Sequence, residues 1–110
     1  MSQWTDMLKG IQKDSALLKD ANPTIIEAFN AVREAGHKND AIDAKTRELI
    51  AIGVAVALHC EGCIASHVYQ AKRAGATAEE VAAAAGTAML IGIGSAYTKS
   101  IDVMRAYEEF

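Results

Sequence analysis

The run Asp43–Val81, DAKTRELIAIGVAVALHCEGCIASHVYQAKRAGATAEEV, decides how this chain is read. It opens polar, with Lys45, Thr46, Arg47 and Glu48, then turns wholly apolar from Leu49 to Leu58. Asp43 is placed to cap a helix from Ala44 to about Leu58 whose later turns dive into a core. Residues 59–62 read as a break or tight turn. A further helix carries Cys63, Ala65, His67, Val68 and Ala71 and stops at Gly75. Thr77 and Glu80 then have capping-box spacing for the next helix.

The same logic extends outward. Asn22-Pro23 reads as an N-cap with proline in the first helical position. The helix it opens runs through Ile25, Ile26, Phe29 and Val32, with Gly36 as its C-terminal cap. Before it, Trp4, Leu8, Ile11, Leu17 and Leu18 mark an amphipathic first helix. After Thr77, an alanine-rich helix reaches about Ile91. Gly92 and Gly94 are expected to interrupt it, and a last helix carries Ile101, Val103, Met104 and Tyr107. No stretch alternates as strands do. The expectation is a single all-α domain over residues 1–110, a compact bundle of about six helices.

Composition narrows the function classes. Of the 110 residues 51% are hydrophobic, which for so short a chain implies apolar surface buried between subunits, hence a homo-oligomer. A net charge of −3 without a basic block leaves no footprint for nucleic acid. Met1, Ser2, Gln3 and Trp4 lack a signal peptide's layout, so the expected location is cytoplasmic. Val81–Tyr97 is uncharged but rich in Ala, Gly, Ser and Thr, and short of the roughly 20 apolar residues of a membrane span. A buried helix is the expected reading, with no membrane partner.

The only cysteines are Cys60 and Cys63. A bridge between them would staple nothing distant, which points to redox work or metal binding. On a helix Cys60, Cys63 and His67 would lie within about 60° of one another, with Cys60 to His67 a rise of ~10 Å. His67 therefore serves Cys63, or Cys60 through a water. A helix start and a nearby imidazole both favour the thiolate, the reactive form. Once one sulfur is oxidised, a partner three residues away resolves it at high effective concentration. Glu48 shares a face with Ala51, Ile52 and Ala55, where a carboxylate needs a partner; His67 is the candidate.

Other readings are weaker. Cys60, Cys63 and His67 could supply three zinc ligands, but no second Cys/His pair completes a structural site. Haem attachment needs histidine directly after the second cysteine, where Ile64 stands. His59 has no clear task, His37 should face solvent, and Tyr69, Tyr97 and Tyr107 read as packing residues. No cofactor-binding motif is present.

Glu48, eleven residues, Cys60-x-x-Cys63, three residues and His67 reproduce a known pattern. With its surroundings, Asp43–Val81 resembles the carboxymuconolactone decarboxylase superfamily, in particular the alkylhydroperoxidase D-like branch. The resemblance implies an all-helical fold that forms homo-trimers or homo-hexamers. It implies reduction of hydroperoxides, or disulfide exchange with a thiol reductant or redox partner protein. It assigns the sulfenic acid to the residue matching Cys63, proton donation and resolution to Cys60, and a proton relay to Glu48 and His67. The chain departs from the best-known members, which are longer and carry histidine between the cysteines. Here Glu61-Gly62 fills that gap, and the charge of Glu61 opposes thiolate formation at Cys60. Decarboxylases of the superfamily generally lack the cysteine pair, whose presence argues against that activity.

Overall fold

The structure is a computed structural model that describes residues 2–38 and 40–110, so Met1 in the leader reading lies outside it. Five helices account for the fold among the described residues: α1 (Gln3–Ala21), α2 (Pro23–His37), α3 (Ala44–Ala57), α4 (Glu61–Arg73) and α5 (Ala78–Glu109). The all-helical expectation holds, with one helix fewer.

The difference lies in α5. Gly92 and Gly94 do not break it; one helix of 32 residues runs through both. Each glycine costs about 1 kcal/mol relative to alanine. Helix extension is cooperative, and the neighbouring Ala, Leu and Ile residues carry the ladder across. Gly36 is likewise inside α2 rather than beyond it. The end of α2 is secured by basic side chains instead: His37 Nδ1 donates to the Arg33 carbonyl at 2.7 Å, and Lys38 pairs with Glu34 at 3.1 Å.

Start signals behave as read. Asn22 Oδ1 accepts from Ile25 N–H, Asp43 Oδ1 accepts from Thr46 N–H at 2.7 Å, and Thr77 with Glu80 forms the full capping box. Glu80 also reaches Lys45 Nζ at 2.9 Å, tying the start of α5 to the start of α3. That contact, with the Thr77 N–H, holds the Glu80 carboxyl below its ordinary range, and raises Lys45. Asp43 is lowered by the Thr46 N–H it accepts.

Substantial contacts follow one line: α2 on α1, α1 on α4, α4 on α3, α3 on α5. The core sits at α3 and α4, where Ile52, Ala55, Ala65 and Ala71 are buried. Alanine lets these helices approach closely, and Gly53 faces the Ala84 carbonyl where α3 meets α5. α5, expected to be buried, has no buried residue within the protomer. Tyr69, Tyr97 and Tyr107 are exposed rather than packed. By length and hydropathy α5 could also cross a membrane.

Candidate functional site

The site is built at the joint between α3 and α4. α3 ends at Leu58 in a Schellman motif: His59 N–H donates to the Val56 carbonyl and Cys60 N–H to the Ala55 carbonyl. His59 takes the left-handed position with φ +54°, a place glycine usually fills. Ala74, Gly75 and Ala76 close α4 in the same way, with Gly75 at φ +90°. The first of these turns reverses the chain so that Cys60 arrives as the N-cap of α4.

Cys60 is thus extended, with φ −101° and ψ 96°, not the first residue of a helix. Its Sγ accepts a hydrogen bond from Cys63 N–H at 3.2 Å. Cys60 and Cys63 are joined as a disulfide with a Cα–Cα distance of 5.2 Å. Because Cys60 lies outside the helix, the ~10 Å rise expected between it and His67 on an unbroken helix does not describe this geometry. Cys63 and His67 remain one turn apart on α4.

Glu48 and His67 are brought together as expected. Glu48 sits in the middle of α3 on the face shared with Ile52 and Ala55, and is 7% exposed. Its Oε2 lies 2.6 Å from His67 Nδ1, across nineteen positions of sequence. A carboxylate only accepts, so Nδ1 carries the proton and Nε2 is left basic. The contact joins a buried carboxylate to a ring that is one-third exposed, on α4 four residues past Cys63.

Two neighbours were not legible from sequence. Ile11 of α1 lies over Gly62, between the cysteines; a Cβ at Gly62 would come within 2.9 Å of Ile11 Cδ1. Gly62 thus leaves room for the tip of the Ile11 side chain at this turn. Trp4, Leu8, Ile64, Val68, Tyr69 and Lys72 line an open groove of about 510 Å³ between α1 and α4. Glu61 is exposed in the first turn of α4, where its charge complements the helix dipole. His59 lines a second cavity, of about 820 Å³, between α3 and α5. His37 faces solvent.

Chemically, the arrangement has a dithiol–disulfide pair, a hydrogen-bond donor on one sulfur, and an oriented imidazole one helical turn from the other. The set suits two-electron sulfur chemistry with proton transfer.

Known proteins share this architecture. An uncharacterized protein of Haemophilus influenzae is 40% identical over 106 residues, covering 96% of this chain and 94% of its own. A protein of the Paracoccus denitrificans cox locus, also uncharacterized, is 34% identical over 81% of this chain and 80% of its own. The crystal structure of a carboxymuconolactone decarboxylase family protein from Legionella pneumophila superposes with a TM-score of 0.78 at 32% identity, covering 100% of this chain and 98% of that one. A protein from Methanobacterium thermoautotrophicum superposes at 0.71 with 33% identity, over 74% of this chain and 94% of its own. The family model for carboxymuconolactone decarboxylases matches residues 23–106, most of the chain and the whole Glu48–His67 site. This chain is a member of the carboxymuconolactone decarboxylase family.

Proposed function

We propose that the protein is a thiol-dependent antioxidant enzyme of the alkylhydroperoxidase D-like branch, acting on hydroperoxides or exchanging disulfides. The observation that carries this reading is the Cys60–Cys63 disulfide at the start of the same helix whose His67 is bonded to Glu48. In the reduced enzyme, His67 takes the Cys63 proton directly or through water, with Glu48 holding the ring. The Cys63 thiolate attacks the hydroperoxide. The O–O bond breaks, an alcohol leaves with a proton from the relay, and Cys63 becomes a sulfenic acid. The Cys60 thiolate then attacks that sulfur. The S–S bond forms and water leaves. A dithiol reductant or a redox partner protein restores the two thiols and is itself oxidised to a disulfide.

Cys60 suits the resolving role because its sulfur accepts the Cys63 N–H, which favours negative charge there. Glu61 works in the other direction, so disulfide exchange with a partner protein is the second form of the same activity. Decarboxylation is disfavoured by the cysteine pair. The working form is a homo-trimer or homo-hexamer in the cytoplasm, without a cofactor, a nucleic-acid partner or a membrane partner.

The test is turnover. With dithiothreitol supplied, the protein should consume a small alkyl hydroperoxide. Cys63→Ser should abolish turnover, and Cys60→Ser should leave a trappable sulfenic acid at Cys63. Sulfenic acid trapped at Cys60 in the Cys63→Ser variant reverses the assignment. No consumption by the reduced wild type removes the peroxidase reading.

A further inference from the structure

The two sulfurs of the disulfide are not equivalent. Both cysteines are half-buried, so exposure does not choose between them. Their polar surroundings do. Cys60 is the N-cap of α4, and its Sγ accepts the Cys63 N–H at 3.2 Å. That N–H is one of the donors that a helix start leaves without an intrahelical partner, at the positive end of the helix dipole. On α3 the same place is held by a carboxylate: Asp43 Oδ1 accepts the Thr46 N–H at 2.7 Å. The cap of α4 is thus a seat for negative charge, and Cys60 occupies it. Cys63 lies inside the first turn of α4, four residues before His67, whose Nδ1 is bonded to Glu48 and whose Nε2 is left basic.

In thiol–disulfide exchange the entering thiolate attacks one sulfur and the other departs as a thiolate. The sulfur that holds negative charge better departs faster. A base one helical turn from the attacked sulfur helps by taking the proton of the entering thiol. Here both effects favour the same polarity.

We propose that reduction of the disulfide has a fixed direction, with the reductant bonding to Cys63 and Cys60 departing as the thiolate. The proposal rests on the pair being a reversible redox centre, but not on a peroxide being its oxidant. The first thiol of a dithiol gives its proton to His67 Nε2, and its sulfur bonds to Cys63 Sγ as the Cys60–Cys63 bond breaks. The Cys60 thiolate stays on the Cys63 N–H. The second thiol passes its proton to Cys60 through water, and its sulfur attacks the first sulfur of the reductant. The reductant leaves as a disulfide, and Cys63 takes the proton held on His67. Two electrons pass to the pair, and each cysteine ends with one proton. With a monothiol, the Cys60 thiolate three residues away competes by returning to Cys63 and expelling it. Glu61 follows Cys60 and is exposed, so its charge opposes the departing thiolate only through solvent. The N–H acts in direct contact, and it decides which sulfur departs.

The experiment adds glutathione to the oxidised wild-type protein and quenches in acid over a time course, which protonates the thiols and stops exchange. Peptic digestion in acid and tandem mass spectrometry then locate the glutathione. Adduct on Cys63 should exceed adduct on Cys60 by roughly five- to tenfold, the rate advantage of a charged over a neutral hydrogen bond. Adduct mainly on Cys60, or evenly on both, overturns the proposal and leaves the peroxidase reading standing. A protein that gives the Cys63 adduct but consumes no hydroperoxide fails the peroxidase reading alone. A disulfide that neither glutathione nor dithiothreitol opens overturns both. Two variants test the cause. Glu61→Gln at low ionic strength should open about twofold faster; an unchanged or lower rate means that no charge develops on Cys60 and overturns the proposal. His67→Gln should open more slowly near neutral pH and recover as pH rises, because the entering thiol then ionises unaided. A loss that persists in alkali overturns the proton path.

Discussion

Replacing Glu48 by glutamine isolates what the buried carboxylate does. The substitution keeps the side-chain volume in a position that is 7% exposed, and its amide oxygen can still accept from His67 Nδ1. What is lost is the charge. A hydrogen bond to a charged group contributes about 1.5–3 kcal/mol, a neutral one about 0.5–1.5 kcal/mol. The difference, about 1–1.5 kcal/mol, bears on any step in which His67 holds an extra proton. It converts to a rate reduction of roughly five- to tenfold. Global stability should move less, by under about 1 kcal/mol, because the site stays filled and bonded. The assay is iodoacetamide alkylation of the reduced protein near neutral pH, followed by mass spectrometry, with urea unfolding run in parallel. A double-mutant cycle with His67→Gln separates the pair from its surroundings, and the coupling should be about 1–2 kcal/mol in the rate. Unchanged alkylation kinetics at unchanged stability, or additive effects in the cycle, would refute the relay.

Further outcomes follow from the fold. Gly75→Ala forces a side chain into φ +90° and should cost about 1 kcal/mol in urea unfolding, whereas His59→Gly relieves φ +54° and should gain a few tenths to about 1 kcal/mol. If His59→Gly is both more stable and fully active, His59 has no part in the site. Ala71 is 0% exposed between α4 and its neighbours, so Ala71→Leu should destabilise by about 1–3 kcal/mol, read by thermal unfolding. The Glu80 carboxyl is held below its ordinary 4.5 by Lys45 and the Thr77 N–H. Its contribution to stability is therefore complete above that pH and lost as pH falls through the lowered value. Glu80→Gln should lower Tm most at neutral pH and least in acid, flattening the acid limb of a Tm–pH curve; an unaltered acid limb contradicts this.

Much of the fold was legible because its signals are local. Asn22, Asp43 and the Thr77–Glu80 box are caps that act within one turn, and each works as read. Glycine was the weak signal. Gly75 ends its helix, but Gly36, Gly92 and Gly94 do not, because nothing nearby competes with continuing the ladder. His59 holds a place where a glycine would have been easier to recognise. In the site, helical periodicity put Glu48 on the inner face of α3 and His67 one turn past Cys63. Their meeting is a long-range fact that spacing alone does not contain. The break read over residues 59–62 is shorter in the structure: the Schellman turn ends at Cys60, which caps α4, and Glu61 and Gly62 already belong to the helix, so the unbroken-helix geometry does not apply to Cys60. Ile11 over Gly62 had no sequence signal, since α1 is far away in the chain. The exposure of α5 was hidden for a different reason. An apolar helix looks buried in sequence whether its cover is its own chain or another.

The central claim is that Cys60 and Cys63 work as one two-electron centre. The most direct measurement adds one equivalent of a small alkyl hydroperoxide to the fully reduced protein, then counts free thiols and maps the linkage by mass spectrometry. The account predicts that both thiols disappear together, that Cys60–Cys63 is the bond formed within one chain, and that a dithiol restores both. Survival of both thiols, or a stable sulfenic acid on one beside a free thiol on the other, would contradict it.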